Sequence, residues 1–287
     1  MVQLKIRHRT TYYYNKSVSL RTHRLMLRPR ESRELRLLGM DIMVKPDATV
    51  TWAQDVAGNM VATASFQTMT DQLRIESTAD LALDAVAWPV FDIAASAIFF
   101  PFHYSPDELV DLGALAVPQY GDSATTLRAW ALAFVRSDPT DTLALLKDIN
   151  VGILAWITYQ ERDDEGTQAP AQTLERGCGA CRDLALLFVE AVRTLGFGAR
   201  IVSGYLHNPN LEIKGSAGSG TTHAWAEVYL PGAGWIPFDP TNRSMGGANL
   251  IPVAVGRDIR HVMPVIGEFI GLSDAFSKMT VEVCVIG

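Results

Sequence analysis

Residues Cys178-Gly179-Ala180-Cys181-Arg182 decide the fold of this chain, because a helix is predicted to begin there. The apolar residues that follow recur at three- and four-residue steps, which is typical of the buried face of a helix. They are Leu184, Leu187, Phe188, Ala191, Val192 and Leu195. Cys181 is therefore predicted in the first turn, where free N–H groups and the helix dipole favour a thiolate, the nucleophilic form of cysteine.

Helical patterns precede this cysteine helix, and strand patterns follow it. Ser123 is the predicted N-cap of one helix, and a longer helix is predicted over residues 140–159. The cysteine helix is predicted to end near Gly196, and the apolar period then changes from 3.6 to two. The strands predicted by that change are residues 199–206, 222–230 and 234–239. Helices followed by antiparallel strands indicate an α+β core.

The chain up to about residue 85 alternates apolar and polar residues, which predicts antiparallel strands. Asp55-Val56-Ala57-Gly58-Asn59 separates two of them and supplies the Gly and Asn that tight turns favour. The predicted organisation is an N-terminal β-sandwich-like domain over residues 1–120, a catalytic core over 121–250, and C-terminal strands over 251–287 that complete one of the sheets. The apolar residues 87–102 include Pro89 and Asp92, so we expect buried core or a domain contact there and no membrane span.

The strand over residues 222–230 presents His223 on one face, together with Trp225, Glu227 and Tyr229. If a turn over residues 230–234 leads into the next strand, Tyr229 faces Trp235, and Asp239 becomes a diagonal neighbour of His223. A slip of one residue would move Asp239 to the other face. A thiolate, an imidazole and a carboxylate in this order form a nucleophile, its general base and the group that orients the base. Cys181, His223 and Asp239 are the predicted catalytic residues.

The predicted chemistry is attack on an amide or thioester carbonyl by Cys181. His223 stabilises the thiolate and then protonates the leaving group, while Asp239 fixes the imidazole tautomer. The backbone N–H of Cys181 is the expected donor to the oxyanion, and the candidate for a second donor is Trp156 or another polar side chain from the preceding helix.

Four segments together resemble the core of the bacterial transglutaminase-like proteins, in the order and spacing of that family. They are GCGACRDLA (177–185), ARIVSGYL (199–206), HAWAEVY (223–229) and GWIPFDPTN (234–242). The resemblance covers residues 125–245, and the N-terminal strands resemble the β-rich region that precedes this core. It implies a papain-like fold with Cys181, His223 and Asp239 as its catalytic residues. Cys178 departs from the family pattern, where a cysteine is uncommon at that position.

The expected function is that of a cysteine protease, amidase or acyltransferase that acts on peptide or isopeptide-like amides through a thioester. Hydrolysis is favoured over cross-linking, because nothing in the sequence identifies a dedicated amine site. Alternative functions are a thiol–disulfide redox protein using Cys178 and Cys181, a zinc site built from these cysteines and His223, and a non-catalytic peptide-binding module. A thioredoxin-like motif follows a strand of an early βαβ unit, whereas this one follows a polar loop and two helices. A disulfide between the two cysteines is a further hypothesis, for regulation.

Composition limits the partners. The chain of 287 residues is 48% apolar and 20% charged, which is ordinary for a globular protein. A net charge of −6 provides no basic field for a nucleic acid, so none is expected as a partner. No secretory signal is recognisable at Met1, and three cysteines make a disulfide framework improbable, so we expect a cytoplasmic location and no membrane contact. The predicted chemistry requires no cofactor, and calcium has no recognisable loop.

Overall fold

The computed structural model describes residues 1–121, 124–162, 164, 166–207 and 220–287. The helices are α1 (Pro106–Leu112), α2 (Ala124–Leu132), α3 (Thr142–Trp156), α4 (Pro170–Arg176) and α5 (Cys181–Thr194). The strands are β1 (Val2–Leu20), β2 (His23–Leu25), β3 (Leu35–Lys45), β4 (Ala48–Gln54), β5 (Met60–Phe66), β6 (Met69–Leu83), β7 (Phe99–Phe100), β8 (Thr140–Asp141), β9 (Thr158–Tyr159), β10 (Cys178–Gly179), β11 (Ala199–His207), β12 (Gly220–Leu230), β13 (Gly234–Asp239), β14 (Ser244–Met245), β15 (Leu250–Gly256), β16 (Val265–Ile266), β17 (Phe269–Ile270) and β18 (Phe276–Ile286).

The N-terminal region is a sandwich of two antiparallel sheets. One sheet has the strand order β17-β1-β6-β3, with β18 also paired to β1, and the other has the order β16-β2-β5-β4. Side chains such as Val18, Leu25, Ala64 and Ile75 are buried between the sheets. Because successive residues of a strand point to opposite faces, the period-two pattern supplies this inner layer. The sandwich confirms the predicted β-rich N-terminal region.

The core is an antiparallel sheet with the order β14-β13-β12-β11-β15, and α5 packs against it. Most of α5 is buried, and Phe188 stacks on Phe238 of β13 with their ring centroids 5.3 Å apart. The helix ends at Thr194, and Gly196 takes a φ of +96°, which side chains rarely tolerate. Helices on an antiparallel sheet, with a β-sandwich beside them, confirm the predicted α+β fold class.

The last strands of the chain connect the two regions. β15 completes the core sheet beside β11, while β16, β17 and β18 pair with β2 and β1 of the sandwich. A buried apolar cluster between the regions joins Ile6 and Leu81 to Tyr205, Ile251 and Val253. The C-terminal strands thus extend both regions, although one sheet was expected. The domain boundaries at residues 120 and 250 stay a prediction.

The helix predicted over residues 140–159 is shorter in the structure. α3 runs from Thr142 to Trp156, and the Asp141 side chain caps it by accepting a hydrogen bond from the Ala144 N–H at 2.7 Å. Both ends of the predicted helix are two-residue strands, β8 and β9, whose partners β7 and β10 are distant in sequence. Pairing with those partners overrides the helical periodicity. The predicted N-cap Ser123 lies outside the described residues.

The apolar stretch of residues 87–102 is buried only in part. Four of its aromatic or aliphatic side chains pack against the main core: Phe91, Ile93, Phe100 and Phe102. Trp88 and Val90 are more than nine-tenths exposed, which the prediction of a buried segment missed. Across the described part of the chain, no helix is long and apolar enough to cross a membrane. The cytoplasmic location stays a prediction.

The turn predicted at residues 55–59 is present and also contacts the core sheet. The Asp55 carboxylate accepts hydrogen bonds from the N–H groups of Ala57 and Asn59, at 2.9 and 2.8 Å. The Asn59 amide donates to the Val255 carbonyl and accepts from the Val255 N–H, both at 2.8 Å. The Asn59 side chain therefore pairs with the N–H and C=O groups of β15 as the backbone of a neighbouring strand would.

Candidate active site

Cys181 is the first residue of α5, as predicted. The N-cap residue Ala180 is extended, with φ −83° and ψ 171°, and an alanine side chain offers no capping oxygen. The Asp183 N–H donates to the Ala180 carbonyl at 2.9 Å, so the N–H groups of Cys181 and Arg182 are those that the cap leaves for a ligand, and the positive end of the helix dipole is close to the sulfur. The thiol is half-buried against the main core, so it remains open to a substrate on one side.

A buried carboxylate, Asp183, holds the segment that carries Cys181. It accepts hydrogen bonds from the N–H groups of Ala180 and Gln168, at 2.9 and 2.7 Å, and from Arg162 at 2.9 Å. Burial would raise the pKa of Asp183, but these hydrogen bonds and the Arg162 charge lower it, so the carboxylate stays ionised. Asp183 thus fixes the position of the helix start.

His223 lies on β12, with its Nε2 atom 2.8 Å from Oδ2 of Asp239. The register that produces this contact was predicted, because Leu230 pairs with Gly234 and Tyr229 with Trp235. The Cys181 side chain lies close enough to the imidazole to raise its pKa. Because Nε2 is hydrogen-bonded to Asp239, Nδ1 is the ring nitrogen left to face the Cys181 sulfur. The structure therefore brings the three predicted residues together, while their catalytic roles stay a prediction.

The electrostatics of His223 favour its charged form. Burial alone would lower its pKa, but the hydrogen bonds to Asp239 and Cys181, together with their charges, raise the pKa to about 10. An imidazolium beside a cysteine sulfur is the partner that the reactive ion pair of a cysteine nucleophile requires.

Asp239 is completely buried and accepts four hydrogen bonds. Its Oδ1 atom accepts from the N–H groups of Thr241 and Asn242, at 3.0 and 3.2 Å. Its Oδ2 atom accepts from His223 and from the Asn242 side-chain amide, which is 2.7 Å away. Asn242 was missed from the sequence, although Asp-Pro-Thr-Asn is typical of an Asx turn in which backbone N–H groups bind the aspartate. This turn fixes the carboxylate in the rotamer that reaches His223.

The ring of Trp225 supports His223 from the side. The two rings are stacked, with centroids 6.0 Å apart and an interplanar angle of 26°. Gly204, which pairs with His223 across β11 and β12, leaves room for this ring, since a Cβ there would lie 2.8 Å from Trp225 Cη2. Trp225 is buried, so it serves to position the histidine and does not contact a substrate.

The two cysteines of the C-x-x-C motif lie in different kinds of structure. Cys178 belongs to strand β10, Ala180 is extended, and only Cys181 is helical. Three steps of extended chain span about 10 Å between Cα atoms, and a disulfide requires less than about 7 Å. A Cys178–Cys181 disulfide, the hypothesis for regulation, therefore requires β10 to separate from β9. Among the described residues, no group of three or more His, Cys, Asp or Glu side chains is arranged to hold a metal ion.

A thiol at a helix start, joined through a histidine to a buried aspartate, defines the papain-like class of cysteine sites. Comparison with protein families agrees with that class. Residues 128–240 match the transglutaminase-like superfamily core, and residues 4–81 match the bacterial transglutaminase-like N-terminal region. The chain belongs to the transglutaminase-like superfamily, which supports a cysteine-based enzyme.

Individual relatives agree with this family. An uncharacterized protein of Mycobacterium tuberculosis is 27% identical over 288 aligned positions, which cover 92% of this chain and 86% of that protein. An uncharacterized protein of Mycobacterium leprae is 35% identical over 105 residues, covering 37% of each chain. A solved structure of a candidate cysteine protease from Cytophaga hutchinsonii superposes with a TM-score of 0.75, covering 100% of this chain and 92% of that one. Its identity is 18%, so this last similarity shows the shared fold.

Proposed function

We propose that this protein is a cysteine hydrolase that cleaves peptide or isopeptide-like amide bonds through a thioester on Cys181. The observation that carries the proposal is the series in which His223 lies between Cys181 at the start of α5 and the Asp239 carboxylate, which is 2.8 Å from its Nε2 atom. Asp239 is completely buried and His223 nearly so, which strengthens the electrostatic coupling between them. Of the three side chains, the half-buried Cys181 sulfur is the one that a substrate can reach.

The reaction begins when the Cys181 thiolate attacks the amide carbonyl carbon. A C–S bond forms, and the carbonyl π pair moves to oxygen, where the Cys181 N–H stabilises the negative charge. When this intermediate collapses, the C–N bond breaks and the departing nitrogen takes the proton of the His223 imidazolium. Water then attacks the thioester carbon and gives its proton to His223; the C–S bond breaks, its electron pair goes to sulfur, and a carboxylic acid and the Cys181 thiolate beside the imidazolium are produced.

Hydrolysis and acyl transfer share the first half of this reaction and differ in what attacks the thioester. We favour water, since it needs no binding site of its own, and a protein cross-linker requires a second site for the amine. Adding hydroxylamine to the reaction separates the two outcomes. A hydrolase gives mostly carboxylic acid, whereas a transferase diverts most product to hydroxamate.

The test of the proposal is acid-quenched intact-mass analysis during reaction with a library of peptide anilides and activated peptide esters. We expect a mass increase equal to the acyl group, on Cys181, together with steady release of the leaving group. Cys181→Ala should lose turnover by about 10³-fold or more. Cys284→Ala is the matched control, because Cys284 lies on β18 in the sandwich sheet, and it should retain full turnover. Equal turnover in Cys181→Ala and wild type would overturn the proposal.

A further inference from the structure

A short parallel strand pair lies directly beside the nucleophile. β9 pairs with β10 so that Tyr159 is opposite Gly179, two residues before Cys181. The Thr158 N–H donates to the Gly177 carbonyl at 2.8 Å, and the Gln160 N–H donates to the Gly179 carbonyl at 2.9 Å. These hydrogen bonds on both sides of Tyr159 fix its backbone next to the helix start.

The Tyr159 side chain lies on the side of the β9–β10 pair that faces the first turn of α5. Directly paired residues of neighbouring strands point to the same side, and at Gly179 that side carries only a hydrogen. A Cβ on Gly179 would lie 2.9 Å from Cβ of Asp183, in the first turn of α5. The pairing therefore places Tyr159 on the side of the strand pair where the first turn of α5 packs, beside the segment that leads into Cys181. Tyr159 is 44% exposed, so a substrate can reach this residue.

The phenol of Tyr159 is electrostatically coupled to the nucleophile. Burial raises the pKa of Tyr159, and the charges of Cys181 and then Glu161 raise it further, while Arg182 lowers it. A phenol with a raised pKa keeps its proton at neutral pH and is a hydrogen-bond donor. No hydrogen-bond partner of the Tyr159 hydroxyl is found among the residues that the structure describes, so this donor is free for a ligand.

We infer that Tyr159 is the second oxyanion donor, which binds the carbonyl oxygen of the substrate opposite the Cys181 backbone N–H. When the thiolate attacks and the π pair moves to oxygen, the O–H group donates a hydrogen bond and keeps its proton. Trp156, the donor expected from the sequence, is the last residue of α3 and is two-thirds exposed. The inference rests on the proposed function, since an oxyanion forms only if Cys181 attacks a carbonyl.

The test compares two reactions of the same sulfur in Tyr159→Phe, which removes only the hydroxyl. Alkylation by iodoacetamide displaces iodide and forms no oxyanion, so its rate on Cys181 should change by less than about twofold. Acylation by a peptide anilide or ester passes through the oxyanion, and its kcat should fall about 10²-fold. Tyr13→Phe, on β1 of the sandwich, is the control and should acylate at the wild-type rate.

Three results would overturn the inference. Wild-type acylation in Tyr159→Phe would show that the hydroxyl does not contact the transition state. An equal fall in alkylation and acylation would show that Tyr159 only shapes the site around Cys181. If wild-type protein shows no acylation that depends on Cys181, the proposed function itself fails, and the second donor with it. Only the last result changes the wild-type measurement, so the two failures are distinguishable.

Discussion

Asp239→Asn tests whether the buried carboxylate controls the charge of His223. The substitution keeps the size of the side chain and removes one of the two charges that raise the pKa of the imidazole. Burial then dominates and lowers the His223 pKa, so the ring becomes neutral near pH 6. A thiol without a cationic partner, with the ordinary pKa of about 8.5, is only about 0.3% ionised at that pH. We therefore expect alkylation of Cys181 at pH 6 to slow by about 10²-fold.

The assay is the rate of iodoacetamide labelling at Cys181, followed by intact mass between pH 5 and 9. The wild-type rate should already be high at pH 6, and the gap to Asp239→Asn should close towards pH 9, where an unassisted thiol ionises. Asp258→Asn is the matched control, because Asp258 is also buried but pairs with Arg260 away from the site. Equal labelling of Asp239→Asn and wild type at pH 6 would refute this account of His223.

The Asp239–His223 pair also predicts how stability depends on pH, and substitutions of Asn242, Asp183 and Asn59 test other contacts. Because the folded-state pKa of His223 is raised to about 10, its contribution to the free energy of unfolding is complete below about pH 6.5 and is lost as pH rises towards 10. Urea titrations should show a steeper loss over this range for wild type than for Asp239→Asn. Asn242→Ala should leave the fold intact but lower kcat by about tenfold, because Asp239 loses a hydrogen bond worth about 1.5 kcal/mol; an unchanged kcat would contradict this. Asp183→Ala should cost about 3–5 kcal/mol in urea unfolding, because it removes the buried partner of Arg162 and the acceptor of the Ala180 and Gln168 N–H groups, whereas Asp164→Ala, at the exposed end of the same network, should cost less than about 1 kcal/mol. Asn59→Ala should cost about 2 kcal/mol in the same assay, because both Val255 backbone groups lose their partner, and a cost near zero would show that the turn does not anchor β15.

The residues of the site that could be predicted are those whose placement depends on local pattern. A helix pattern beginning at Cys181 fixed the position of the thiol, and a short turn after Leu230 determined the register that brings Asp239 to His223. The hairpin turn limits the pairing to few alternatives, and the alternation of side chains then decides which residues share a face. These two local rules were sufficient to assemble the three predicted residues.

Tyr159 was missed because its placement depends on pairing between distant segments. Ile157 continues the apolar periodicity of α3, so the two-residue strand Thr158–Tyr159 that follows it was not distinguishable from one more helical turn. Only the pairing with β10 extends the backbone there. The exposure of Trp88 was missed for a related reason, since hydropathy identifies apolar residues but not the surface against which they pack.

The meaning of the C-x-x-C motif depends on the conformation of its first residue. When both cysteines lie in one helical turn, their sulfurs are close and form a reversible disulfide, as in redox proteins. Here a strand holds Cys178 through its pairing with β9, and the same pairing brings Tyr159 beside the helix start. A disulfide that displaced β10 would therefore also displace Tyr159. If Tyr159 is the second oxyanion donor, the strand that separates the two thiols is part of the acylation site, and the spacing favours nucleophilic chemistry over redox exchange.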